Sequence, residues 1–484
     1  MTIFSSMIIA MTLQAAAPPA QLEAGPPDEV VQRLGSAFDD LQSQGLSGFV
    51  AVTHDGVIVF EQDFGSANAA TEAPFTRDTR FDMASIVKSY TGMMAAQLIR
   101  DRRLSVTNIL ADFFDDVPAD KAGITLHQLL THSSGLPSAI ASDEEQIDTA
   151  EMLDRAFAAQ LRFEPGTSYL YSNTAFSIAA AIIEQVTGET YEDYLLDEFL
   201  LPAGIMQTGY TRSYDPQYMP TDTVYTMDGM PVHMSSWGGA TPGWALIGNG
   251  GMITTVTDLI AWRAAYNAGD LISPDAIAIQ QSAYIREGEG APSQYGYGVV
   301  VEDHPQFGRV YWHNGGSGPF SAHWREYADT GYAIYTAVNT RDVDGDTVML
   351  AATGAIFGVQ MQMENRSDAI EWGEVDFDRS EATRLAGDFL ELVRNGSESA
   401  RRAFVETRMI EGLRDVAPIE GHIGMMDQIA SDLSGMTPSG LAVDEGENQI
   451  LIQFETPDGQ IMILEVGFEN TTEGPMMSGL GITD

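Results

Sequence analysis

Ser85 and Lys88 stand three residues apart in the run Ser85-Ile86-Val87-Lys88. On a helix, positions i and i+3 share a face, so the lysine amine can reach the serine hydroxyl. A serine beside an amine is a complete nucleophile-and-base unit once burial lowers the lysine pKa. The free N–H groups at a helix start also favour developing negative charge. Lysine is otherwise almost absent. Lys121 is the second of two, and arginine, which stays protonated and cannot serve as a base, supplies the other 22 of the 24 basic residues. Lys121 lies in the polar stretch Asp-Lys-Ala-Gly and reads as a surface charge.

Two further groups could complete such a centre. Tyr171-Ser172-Asn173 offers a phenol, which beside a cationic amine can hold a lowered pKa and shuttle a proton. Its Asn173 can orient the amine and hydrogen-bond a substrate carbonyl. His313-Asn314-Gly315-Gly316 has glycines that let backbone N–H groups approach a substrate closely, as an oxyanion hole requires. Taken alone, the tyrosine motif also reads as structural and the glycine motif as a plain turn.

In this order and at these separations, the three motifs resemble the serine β-lactamase and penicillin-binding family, specifically its class C branch of β-lactamases, D-Ala-D-Ala carboxypeptidases, D-aminopeptidases and family VIII esterases. The stretches 124–137 (ITLHQLLTHSSGLP) and 248–255 (GNGGMITT) look like the family's scaffold segments, and the resemblance spans about residues 30 to 360. It implies that Ser85 is the acylated nucleophile, Lys88 its amine partner and Tyr171 the proton shuttle. Asn173 then positions substrate, His313 heads the strand motif with Asn314 and Gly315, and the N–H groups of Ser85 and Gly316 form the oxyanion hole. One departure bears on substrate. The family's β-lactamases usually carry Lys-Thr-Gly where this chain has His313-Asn314-Gly315, and a largely neutral histidine holds a carboxylate less well. With an ordinary histidine pKa of about 6.5, the ring would gain charge near pH 6. The Gly-x-Ser-x-Gly elbow of the α/β-hydrolases is absent from the sequence.

Positioning these groups requires a folded scaffold, and the chain reads as one. Val30, Leu34, Phe38 and Leu41 have helical spacing. Residues 49–53 and 57–60 read as strands about an Asp55-Gly56 hairpin turn. Residues 85–99 and 174–186 read as buried helices, and 347–357 as a closing helix. Strands are predicted at 295–302, at 309–312 and as two runs between 322 and 338. Strands at both ends of this region, with helices between, predict an α+β fold: a β-lactamase/transpeptidase-like antiparallel sheet flanked by helices, with a helical subdomain. Residues 1–27 read as a signal peptide and linker, 28–360 as the hydrolase domain, 361–378 as a linker, and 379–484 as a small accessory α+β domain.

Composition narrows the function further. Asp plus Glu total 69 against 24 Lys plus Arg, a net charge of −45. Such a polyanion repels nucleic acid, whose binding needs a basic face. The chain has no cysteine, which excludes thiol nucleophiles, disulfides and zinc-thiolate sites. His127 and His132 lie close but lack a third ligand and read as scaffold residues; no metal or other cofactor is expected. The apolar run 3–13, followed by small residues, suits an export signal although no basic residue precedes Arg33, so a periplasmic or secreted protein is expected. No run reaches the length of a membrane span. The expected activity is a serine hydrolase that acts through an acyl-enzyme on a small-molecule ester, amide or β-lactam, with short-chain esters or related amides foremost. A D-amino-acid peptidase or weak β-lactamase is the alternative within the family. A non-catalytic penicillin-recognising module is the alternative of another class, opposed by the presence of Ser85, Lys88 and Tyr171 together.

Overall fold

A computed structural model describes residues 22–68, 72–143, 145–210, 242–288, 291–317, 320–340, 345–359, 361, 372–414, 419–444, 449–455, 461–471 and 474–483. The expected export signal and most of the expected linker 361–378 lie outside these residues. The chain divides into two compact units, Thr2–Met363 and Glu364–Asp484.

In the first unit the helix α1 (Pro27–Ser43) precedes the hairpin β1 (Gly48–His54) and β2 (Val57–Phe64). The turn residues Asp55 and Gly56 both take positive φ, as a tight hairpin demands. After the short strands β3 (Ser66–Asn68), β4 (Ala73–Pro74) and β5 (Phe81–Asp82), a 3₁₀ turn at Ala84–Ile86 leads into α2 (Val87–Arg100). The helical middle contains α3 (Leu126–Leu130), α4 (Thr149–Ala158), α5 (Asn173–Thr187) and α6 (Tyr191–Leu195). The chain then returns through β6 (Ile253–Thr254), two helices at Val256–Ala268 and Pro274–Gln280, and the strands β7 (Ile285–Arg286), β8 (Ser293–Tyr295), β9 (Val300–His304), β10 (Gly308–Ser317), β11 (Phe320–Tyr327) and β12 (Tyr332–Val338). A helix at Gly345–Phe357 follows.

One eight-stranded antiparallel sheet has the order β2-β1-β12-β11-β10-β9-β8-β7. The first hairpin therefore pairs with the last strand, Val50 opposite Thr336. This is the sheet expected from the two ends of the region. Both faces are covered, and the period-2 alternation of a strand shows it. Val50, Val52, Ile334 and Val338 pack with α1 and Gly345–Phe357. Phe49, Ala51, Tyr335 and Ala337 face the core built around α2 and α5. That double burial explains why β1 and β12 read as continuous apolar runs.

The strand predicted across 295–302 is two strands. Gly296 to Val299 form a turn closed by a 2.8 Å bond from Gly296 N–H to the Val299 carbonyl, with Gly298 at φ +71°. A side chain at Gly298 would run into the Lys88 carbonyl, so the turn packs directly on α2. Lys121, read as a surface charge, is instead only 3 % exposed, with its ammonium 2.8 Å from the Asp120 carboxylate. The second unit is a four-stranded antiparallel sheet, β13 (Pro438–Asp444), β14 (Gln449–Glu455), β15 (Ile461–Thr471) and β16 (Gly474–Thr483), packed with helices at Glu381–Asn395, Glu398–Arg408 and Ile419–Asp432. Among the described residues no helix is long and apolar enough to cross a membrane.

Candidate active site

Ser85 lies in the 3₁₀ turn and Lys88 in the first turn of α2. Side chains three apart eclipse in a 3₁₀ turn, which brings the pair together. Lys88 Nζ is 3.1 Å from Ser85 Oγ and donates to the Asn249 carbonyl at 2.9 Å. Lys88 has no solvent exposure, and its burial lowers the pKa well below the usual lysine value, against an opposing pull from Asp143. Burial thus favours the neutral form of the amine. Once deprotonated, the amine can keep its bond to the Asn249 carbonyl and turn a lone pair to the serine.

The turn that carries Ser85 is fixed from several sides. Met83 N–H donates to Met252 O at 3.0 Å, and β5 pairs with β6, Asp82 opposite Ile253. Ala84 takes φ +45°, a left-handed conformation uncommon for a residue with a side chain. Strand β10 passes close beside this turn at Gly315. A Cβ there would overlap the Met83 carbonyl oxygen and stand 2.9 Å from Ser85 N. Glycine is required at that point because backbone meets backbone.

Tyr171 precedes α5 and hydrogen-bonds Ser85, and its ring centroid is 4.7 Å from Lys88 Nζ. Burial pushes the phenol pKa above its usual value, with the Ser85 bond as a partial offset. The lowered phenol pKa expected from a neighbouring cation is therefore not found, because desolvation of the phenolate outweighs the other influences on it. Ser172 caps α5, its hydroxyl accepting from Ala175 N–H at 3.1 Å. Asn173 begins α5; its N–H donates to Ser138 O at 2.8 Å, and its buried Oδ1 has no hydrogen-bond partner among the described residues.

His313 lies on β10 and is 2 % exposed. Nδ1 donates to the Asn314 carbonyl at 2.6 Å, which assigns the other nitrogen as acceptor for the Tyr295 hydroxyl at 2.9 Å. Burial first, and then the positive potential of Lys88, lower its pKa to about 3. The expectation that this ring gains charge near pH 6 is corrected accordingly. On β10, Asn314 pairs with His323, Gly315 with Ala322 and Gly316 with Ser321.

Two neighbours were not picked out as site residues. His132, read as scaffold, has its ring 4.3 Å from Tyr171 and 4.5 Å from Tyr295, and its Nδ1 accepts Ser172 N–H at 2.9 Å. It holds the segment that carries Tyr171. Its pKa lies well below the usual value through burial, Lys88 and His313. Tyr295 joins His132 to His313 and carries no local sequence signal. Among the described residues no group of three or more His, Asp or Glu side chains could hold a metal.

A serine next to a buried amine and a phenol, beside a glycine-bearing strand of an antiparallel sheet, is the equipment of a serine acyl-transfer enzyme. The chain belongs to the Beta-lactamase family, a family of serine hydrolases, whose model matches residues 28–355. It is 25 % identical over 360 residues to penicillin-binding protein 4* of Bacillus subtilis, covering 69 % of this chain and 78 % of that one. It is 28 % identical over 273 residues to a D-aminopeptidase of Brucella anthropi, covering 54 % of this chain and half of that protein. The fold is shared with the octameric penicillin-binding protein homologue of Pyrococcus abyssi, at a TM-score of 0.59 and 18 % identity over 92 % of both chains.

Proposed function

We propose that this protein is an exported serine hydrolase whose preferred substrates are neutral short-chain esters or related amides. Ser85 Oγ attacks the carbonyl carbon while its proton passes to Lys88 Nζ. Backbone N–H groups of Ser85 and Gly316 receive the oxyanion, and Asn173 Oδ1 or its amide orients the acyl group. The raised pKa of Tyr171 keeps the phenol protonated, so it relays the proton from Lys88 to the leaving oxygen or nitrogen as the tetrahedral intermediate collapses. Water, deprotonated by the same pair, then attacks the acyl-enzyme and releases the acid.

The observation that carries the substrate preference is His313. At the position where Lys-Thr-Gly is usual in the family's β-lactamases, the ring is neutral and both of its nitrogens are bonded within the protein. A carboxylate-bearing substrate therefore forgoes a charge-assisted hydrogen bond of about 1.5–3 kcal/mol, and a neutral ester forgoes nothing. The net charge of −45 opposes anionic substrates in the same sense. The test compares kcat/KM for p-nitrophenyl acetate or butyrate with that for nitrocefin and for D-Ala amides. Higher efficiency on the esters supports the reading; higher efficiency on nitrocefin overturns it.

A further inference from the structure

The buried carboxylate of Asp82 stands three residues before Ser85 and takes no part in the chemistry proposed above. It is 3 % exposed. Its Oδ1 accepts the Ala84 N–H at 2.8 Å, and the carboxylate also takes a hydrogen bond from the Ser317 hydroxyl. These two partners belong to different parts of the chain. Ala84 is the left-handed residue of the nucleophile turn, and Ser317 is the last residue of β10. Ala84 immediately precedes Ser85, and Ser317 immediately follows Gly316. Each bond of Asp82 therefore grips the neighbour of one candidate oxyanion donor.

The constraint has a direct geometric meaning. The direction of the Ser85 N–H is set by the dihedrals of Ala84, which sit in a sparsely populated region and persist only when the surroundings hold them. The Asp82 bond to Ala84 N–H supplies that hold, since a side-chain oxygen accepting from the residue two places on is a local turn-former. At the other end, Ser317 ties β10 to the same carboxylate, and Gly315 allows the strand to lie against the turn without a side chain between them. Asp82 is itself anchored by the pairing of β5 with β6.

We propose that Asp82 is a positioning residue that sets the separation and direction of the Ser85 and Gly316 N–H groups by holding the residue next to each. The inference rests on the reading of Ser85 as nucleophile and of these two N–H groups as the oxyanion hole. Oxyanion donors act through placement, and the loss of one costs about 10²–10³ in kcat. A carboxylate that fixes both without touching substrate should accordingly affect kcat and leave KM nearly alone.

The experiment measures kcat and KM on p-nitrophenyl acetate, with thermal midpoints, for the parent, Ser85→Ala, Asp82→Ala, Asp82→Asn and Ser317→Ala. Asp82→Ala is expected to lower kcat on the order of 10²-fold with KM changed by less than about threefold. Asp82→Asn should keep kcat within about threefold, because its amide oxygen still accepts from Ala84 and its NH₂ can donate to the Ser317 oxygen. Ser317→Ala, which removes one of the two ties, should lower kcat about tenfold and carries the test if Asp82→Ala does not fold. An unchanged kcat in Asp82→Ala or Ser317→Ala, beside an inactive Ser85→Ala, overturns this inference alone. A kcat loss as large in Asp82→Asn as in Asp82→Ala also overturns it. An active Ser85→Ala overturns the underlying reading and this inference with it.

Discussion

The Tyr295 hydroxyl donates to His313 Nε2 across 2.9 Å, from β8 to β10, and this bond defines what the motif strand can offer a substrate. The opposite ring nitrogen is taken by the Asn314 carbonyl at 2.6 Å. A second proton on the ring would have to displace the Tyr295 hydrogen bond inside a desolvated pocket beside Lys88, and the pKa near 3 expresses that cost.

The ratio of kcat/KM on nitrocefin to that on p-nitrophenyl acetate should consequently stay flat between pH 8 and pH 5. Titration of Lys88 affects both substrates through the same acylation step and cancels in the ratio. A rise of several-fold as the pH falls through 6 would show that His313 charges there and would contradict the assigned tautomer and burial.

Replacing Lys88 by arginine should lower acylation by at least about 10²-fold, since the guanidinium stays protonated and cannot accept the serine proton. The amine is fully buried between Ser85, Asn249 and the Tyr171 ring, so the larger fork also disturbs the packing. Stopped-flow release of p-nitrophenol reads the acylation step. An arginine variant that acylates near the parent rate would remove Lys88 as the base.

Gly315→Ala should both destabilise the protein, by about 1–3 kcal/mol, and reduce kcat, because the added methyl forces β10 away from the nucleophile turn. Gly123→Ala, at a glycine without positive φ where a Cβ meets nothing within 4 Å, should leave kcat unchanged and serves as the control. Equal kcat in the two variants would separate the strand motif from the chemistry.

Asp82 also makes a prediction about stability. Burial chiefly, with a contribution from Asp143, raises its carboxyl pKa from 3.8 to about 6, against the opposing bonds from Ala84 and Ser317. A folded-state pKa above the unfolded value gives stability that is fully present below about pH 4 and is lost as the pH rises through 6. The difference corresponds to ~3 kcal/mol at pH 8. Asp82→Asn, which keeps the bonding pattern without the charge, should melt higher than the parent at pH 8 and equal to it at pH 4. An Asn variant that melts lower at pH 8 would mean the charge is stabilising.

Much of this was legible in the sequence because the signals were local. The four apolar residues Val30, Leu34, Phe38 and Leu41 became the buried stripe of α1, and Ser85 with Lys88 needed only one helical turn to meet. The short helices α3 and α4 were not anticipated, although their caps are written in the chain: Thr125 accepts from Gln128 N–H and Asp148 from Glu151 N–H. Five to ten residues are too few for a convincing period, so the caps decide. Tyr295 carries no local signal because it acts from one strand to another, and nothing in the residue type of Ala84 announces the left-handed turn that Asp82, two places before it, holds. The polar neighbours of Lys121 point to exposure, yet it is buried, because Asp120, which looks like another surface charge, is its partner.

The central claim is that Ser85 becomes acylated. The most direct measurement is intact-protein and peptide mass spectrometry after rapid acid quench with p-nitrophenyl butyrate, in the parent and in Ser85→Ala. A single butyryl adduct is expected on the peptide that contains Ser85, formed with the burst of p-nitrophenol and absent from Ser85→Ala. A butyryl group on any other residue during turnover, or turnover by Ser85→Ala at the parent rate, would contradict it.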